Sequence, residues 1–148
     1  MIRLVDIKKS IVDVLENNFP TLSKYAGEIT EGFKRPCFFN QILPITFDYE
    51  TTHFTSNKLM IVINYFSANR TDLENIKMYD DLKKVFGMTL KVKHRSFLLQ
   101  DIRSDITDGV LQFKFDLNFY DDIEISEEEQ NEMNELMKEL NMNLRSGE

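Results

Sequence analysis

Apolar positions along this chain change period several times, and each change marks an element. Leu4, Ile7, Ile11, Val14 and Leu15 recur at three- and four-residue intervals, which predicts an amphipathic helix over about residues 2–18. Asn17-Asn18-Phe19-Pro20 ends it, because proline disfavours a helical conformation in the residue before it and asparagine tolerates the left-handed geometry of a helix end. A short strand near Tyr25 to Thr30 follows, then a turn from Gly32 to Pro36. From Cys37 to Tyr49 the pattern is extended, with Pro44 at an edge, a bend or a bulge, since it has no N–H to give to a ladder. Thr51 to Lys58 is polar and predicts the tip of a long hairpin, whose return strand is Leu59 to Phe66. That strand is an almost unbroken apolar run, which predicts burial on both faces and a central place in a sheet.

Thr71-Asp72-Leu73-Glu74 has the spacing of a capping box and starts a second helix, with Leu73, Ile76, Tyr79 or Asp80, Leu82 or Lys83, Val85 and Phe86 as its apolar stripe and Gly87 placed to end it. Three strands are predicted next: about Thr89 to His94, Phe97 to Ile106, and Val110 to Tyr120. In the last, Leu111, Phe113, Phe115, Leu117 and Phe119 alternate with mostly polar residues, the pattern of a strand with one dry face. Asp108-Gly109 before it is a hairpin turn signal. Ser126-Glu127-Glu128-Glu129 is a second capping box and opens a third helix over about residues 126–144, with Met133, Leu136, Met137 and Leu140 on one face. The order α-β-β-β-α-β-β-β-α describes an α+β fold, an antiparallel or mixed central sheet packed against helices, with residues 1–148 as a single domain.

Charge changes this picture once it is located. Residues 121–148 hold ten acidic residues against Lys138 and Arg145, a net of −8, whereas the rest of the chain holds sixteen basic and fifteen acidic residues, a net of +1. No element supplies the basic stripe that binds a phosphate backbone, so sequence-specific nucleic-acid binding is not expected. The acidic stretch reads as a solvated helix face, or as a surface that repels passing DNA. No run approaches the ~18 apolar residues of a membrane span, and charges at Arg3, Asp6, Lys8, Lys9 and Asp13 interrupt the first helix, so neither a membrane partner nor a secretory signal is expected. These features predict a protein made and kept in a cytoplasm.

Candidate chemistry is sparse. His53 and His94 form no ligand-spaced pair with Cys37, the single cysteine, which is predicted to be a buried, inert thiol, and no metal site is expected. No nucleophile elbow or glycine-rich phosphate loop occurs, so catalytic residues and cofactors are predicted to be none. The carboxylate pairs Asp80-Asp81, Asp101 with Asp105, and Asp121-Asp122 are not expected to do acid–base work or hold a divalent ion, because adjacent carboxylates on a strand point to opposite faces and those on a helix surface are solvated. Two features suit contact with a partner. One is the polar hairpin tip, with Thr52, His53, Thr55 and Asn57; the other is the face Met133, Leu136, Met137 and Leu140, whose thioethers adapt to a surface, and which otherwise packs on its own sheet.

The stretch Thr30-Glu31-Gly32-Phe33-Lys34-Arg35-Pro36-Cys37-Phe38-Phe39-Asn40-Gln41-Ile42-Leu43, the Ile61 to Phe66 strand and Asp108-Gly109-Val110-Leu111-Gln112-Phe113 together resemble the tail terminator proteins of phages and phage-tail-like bacteriocins from Gram-positive bacteria. The resemblance covers most of the chain, while the acidic C-terminal helix departs from it. It implies a structural protein without catalytic activity, a ring, usually a homohexamer, on the head-proximal end of the tail tube. That ring would halt tube polymerisation, present a new face to the neck or collar, and touch the last sheath layer if the tail is contractile. It would assemble in the host bacterial cytoplasm and become part of the virion or tail-like particle. A neck or head-to-tail connector subunit, and a small ligand-binding or enzymatic domain, are the alternatives.

Overall fold

The computed structural model describes residues 2–26, 34–122, 131–132 and 134–140. Helix α1 spans Leu4–Asn18 and is followed by strands β1 (Ser23–Ala26), β2 (Cys37–Tyr49) and β3 (Phe54–Phe66). Helix α2 (Asp72–Phe86) leads into β4 (Thr89–Val92), β5 (Arg95–Leu98), β6 (Gln100–Thr107) and β7 (Val110–Asp122). Residues 131–132 and 134–140 are helical, which agrees with the predicted third helix; its capping box and Met133 lie outside the described residues. The fold is α+β, with a five-stranded mixed sheet in the order β1-β2-β3-β7-β6. Only β1 runs parallel to its neighbour; every other pair in the sheet is antiparallel.

The strand made almost wholly of apolar residues takes the central place. β3 lies between β2 and β7 with Ile61 to Phe66 buried on both faces, as its composition predicts. On one face Ile61 and Ile63 lie beside Phe115 and Phe113 of β7, and α1 and α2 close over them. α1 contributes Ile7, Ile11 and Leu15; α2 contributes Met78, Leu82 and Phe86, whose ring packs on Phe113 and Phe115 at 6.1 and 5.4 Å between centroids. On the opposite face Cys37, Phe39 and Phe66 form a small separate cluster, so the predicted burial of Cys37 is met.

Local chemistry sets the turns. Asp108 and Gly109 both have positive φ, +53° and +74°, the two-residue loop whose twist matches that of the paired strands. Thr71 caps α2 by accepting the Glu74 N–H at 3.4 Å. The Glu74 carboxylate also accepts from the Asn69 N–H and side-chain amide at 3.1 and 3.0 Å.

Four expectations need correction. The hairpin tip is shorter than Thr51 to Lys58, because Thr55 to Lys58 pair with both β2 and β7 and their polar side chains are carried within a three-stranded ladder. The buried face of α2 is Asn75, Met78, Leu82 and Phe86; Leu73 and Ile76 point to solvent, since the helix lies on the sheet about a quarter-turn from the predicted stripe. The predicted strand from Phe97 to Ile106 is two strands: β5 pairs with β4 in a separate two-stranded ribbon, and the chain passes through Leu99 before β6 joins the main sheet. The predicted strand from Thr89 to His94 ends at Val92, where Lys93 takes φ +55° and turns the chain back.

Candidate functional site

The far end of the β2–β3 hairpin projects past α1, and one extra residue decides what it presents there. Pro44 pairs with Leu59 and Thr46 with Lys58, so Ile45 is an unpaired insertion in β2, a bulge beside the proline that cannot donate. Before the bulge, Phe38, Asn40, Ile42 and Pro44 share the face covered by the helices. Beyond it the parity reverses: Phe47 pairs with Asn57, which pairs with Phe119, and Tyr49 pairs with Thr55, which pairs with Asp121. Phe47 and Tyr49 are thereby set on the helix side, in edge-to-face contact at 5.3 Å, yet they are 57% and 61% exposed because α1 begins short of them.

Between the N-terminal end of α1 and this arm lies an apolar groove of about 650 Å³, lined by Ile2, Arg3, Leu4, Pro44, Phe47 and Phe119 among others. A smaller cleft of about 290 Å³ adjoins it, sharing Ile2 and lined also by Phe54, His94, Arg95, Tyr120, Asp121 and Asp122. Phe54 and Tyr120 are exposed, so the end of the sheet is apolar on both faces. A contiguous exposed apolar patch of this kind marks an interaction surface.

The cleft is held by polar contacts that leave its carboxylate fully used. Asp121 accepts the Ile2 N–H at 2.7 Å, the Arg95 guanidinium at 3.1 Å and the Asp122 N–H at 3.0 Å. Arg95 also donates to the Tyr120 carbonyl at 2.8 Å and lies over the rings of Phe97 and Phe119. This arrangement fixes the N-terminus, the β4–β5 ribbon and β7 to one another. Among the described residues no group of three His, Cys, Asp or Glu side chains could hold a metal ion, and no helix is long and apolar enough to cross a membrane. Burial pushes the Cys37 thiol up, against an opposing pull from Arg35, and so away from the reactive thiolate.

The sequence-predicted candidates are only partly brought together. Thr52 and His53 sit at the tip, where the Thr51 hydroxyl accepts the N–H groups of His53 and Phe54 at 3.2 and 3.1 Å. Thr55 is buried: its hydroxyl donates to the Asp121 carbonyl and accepts from the Asn57 side chain, so it is a strand contact rather than part of an exposed tip. Asn57 lines the groove. Leu136, Met137 and Leu140 are exposed at 60%, 50% and 61%; Met133 is outside the described residues. Sequence reading missed Leu4, Phe47, Tyr49 and Phe54 as surface groups. The signal was present in the large apolar residues of Ile45 to Tyr49 next to a proline, but burial could not be told from exposure without knowing where α1 stops.

No curated protein matches the chain. One solved structure superimposes on 83% of this chain and 94% of its own, at 9% identity and a TM-score of 0.47. The family model described as phage tail terminator protein matches residues 6–132, from the first turn of α1 through α2 and the whole sheet, and on that match the chain belongs to the phage tail terminator family, a structural component of phage tails.

Proposed function

We infer that copies of this protein close into a ring, a homohexamer, on the head-proximal end of the tail tube, where the ring stops tube polymerisation and joins the tail to the neck or collar. Family membership carries this reading. A closed ring needs a patch on one copy that fits a different patch on the next, and the exposed arm and groove offer surfaces of unlike shape. The two faces of the ring must differ as well, one fitting the tube end and the other refusing further tube subunits. The protein acts by contact and catalyses no reaction. Thr52, His53 and Asn57 at the hairpin and Leu136, Met137 and Leu140 on the C-terminal helix are the contact residues of this reading, with the tube protein, the neck and, in a contractile tail, the last sheath layer as partners. Assembly takes place in the host cytoplasm.

Light scattering across concentration, with and without purified tube protein, tests this. A discrete ring, or a chain that assembles only on tube ends and arrests their growth, supports capping. A persistent monomer that leaves tube growth unchanged overturns it. The groove also has the volume of a small-molecule pocket, roughly 300–1,000 Å³, which makes a ligand-binding domain the second reading in that event.

A further inference from the structure

We propose that the groove between α1 and the hairpin arm is the seat of the C-terminal helix of a second copy of this chain. One molecule carries both halves of the contact and leaves both open. The groove exposes Leu4 and Phe47, and the helix at residues 134–140 exposes Leu136, Met137 and Leu140. With Met133 these positions fall at i, i+3, i+4 and i+7, the spacing by which a helix lays an apolar face into a groove.

The position of the chain end favours this occupant. β7 ends at Asp122, which lines the cleft adjoining the groove, so the last described residue before the helix stands next to the groove. Eight residues, 123–130, separate the two, and fully extended they span at most about 29 Å. That length lets the helix reach past its own rim to an adjacent copy, while in its own chain the helix leaves its apolar face in solvent. Charge acts in the same direction. The helix carries Glu132, Glu135 and Glu139 against Lys138. The groove lining carries one charged side chain, Arg3, beside the N-terminal end of α1, where helix dipoles favour negative charge.

A helix passed from each copy into the groove of the next is a contact between unlike patches, and it satisfies every helix and every groove only when the assembly closes on itself. This inference rests on the ring reading above and gives that ring its linkage.

The test uses full-length chains. A Phe47→Cys protein carrying a size tag is mixed with an untagged Leu140→Cys protein at high concentration and oxidised, with the buried Cys37 left in place. The expected product is a mixed disulfide of one tagged and one untagged chain, lost when Leu136→Asp is added to the helix donor. An internal disulfide in the Phe47→Cys/Leu140→Cys double variant with no mixed product overturns the proposal, because the helix then seats in its own groove. Absence of either product overturns it too. Urea unfolding controls for misfolding, and the midpoint is expected to stay that of the wild type because the replaced side chains are exposed. Capping is read separately. Tubes that are still arrested by the Leu136→Asp/Met137→Asp chain leave capping standing and remove this linkage. A mixed disulfide in a protein that fails to arrest tubes leaves the linkage standing and removes capping.

Discussion

The Asp121 carboxylate accepts the backbone N–H of Ile2 at 2.7 Å, joining residues 119 positions apart in the sequence and fixing the start of α1 to the end of β7. The same carboxylate holds Arg95, so one buried group sets where the groove and cleft walls stand. Asp121→Ala leaves the Ile2 N–H and the guanidinium without their acceptor. Losing a buried hydrogen-bond partner costs about 1–3 kcal/mol, more where a charged group is left behind. Arg95→Ala removes a partner that is about one-third exposed and is expected to cost less. Urea unfolding of both variants checks the order, and a larger loss for Arg95→Ala would overturn it.

Asn40 presents the opposite case, a polar side chain that the core does not use. It is wholly buried on the helix side of β2 between Phe38 and Ile42, and neither its side-chain nitrogen nor its oxygen has a hydrogen-bond partner among the described residues. Burying an amide without partners costs roughly 1–3 kcal/mol by the measure of protein variants. Asn40→Leu, similar in size and apolar, is therefore expected to raise the urea midpoint. A lower midpoint would show that the amide is satisfied in solution.

How much of this was legible in the sequence follows from how local each cause is. β3 and β7 were readable because composition and alternation act within one strand, and the Asp108-Gly109 loop because its positive φ values are a property of two residues. The face of α2 was not, because Leu73 and Ile76 lose to Asn75 and Met78 only once the helix lies on Phe113. The break at Leu99 was hidden for the same reason: nothing in Phe97 to Ile106 says that its two halves pair with different partners. The row Leu136, Met137 and Leu140 on the C-terminal helix was visible from period alone. Phe47 and Tyr49 were not, since their exposure depends on a bulge in one strand and on where α1 begins.

The acid limb of stability is expected to carry a contribution from Asp6. The Lys93 ammonium, hydrogen-bonded to it at 3.1 Å, and the Arg3 N–H hold its carboxyl below the ordinary 3.8. Between the folded and unfolded values the unfolded chain binds more protons, so this stabilisation is present above 3.8 and is lost as pH falls through the lower, folded value. Asp6→Asn is expected to melt below the wild type at neutral pH, with the gap closing as pH falls through that range. Melting curves across pH read this directly, and a gap that is independent of pH would assign the loss to something other than the charge.

Deleting Ile45 separates what the bulge does from what the arm's side chains do. Pro44 then leads straight into Thr46, which already pairs with Lys58, so the pairs Phe47 with Asn57 and Tyr49 with Thr55 keep their register and both rings keep the helix side of the sheet. What the deletion removes is the local bend and added twist of the bulge. The deletion chain is expected to stay folded in urea titration, to assemble as the wild type does in light scattering, and to give the mixed disulfide from position 47. Phe47→Asp, which puts a carboxylate into the groove at the same register, is expected to remain a single chain. Loss of assembly in the deletion chain with its rings in place would show that the joint depends on the bend of the arm rather than on the ring that lines the groove.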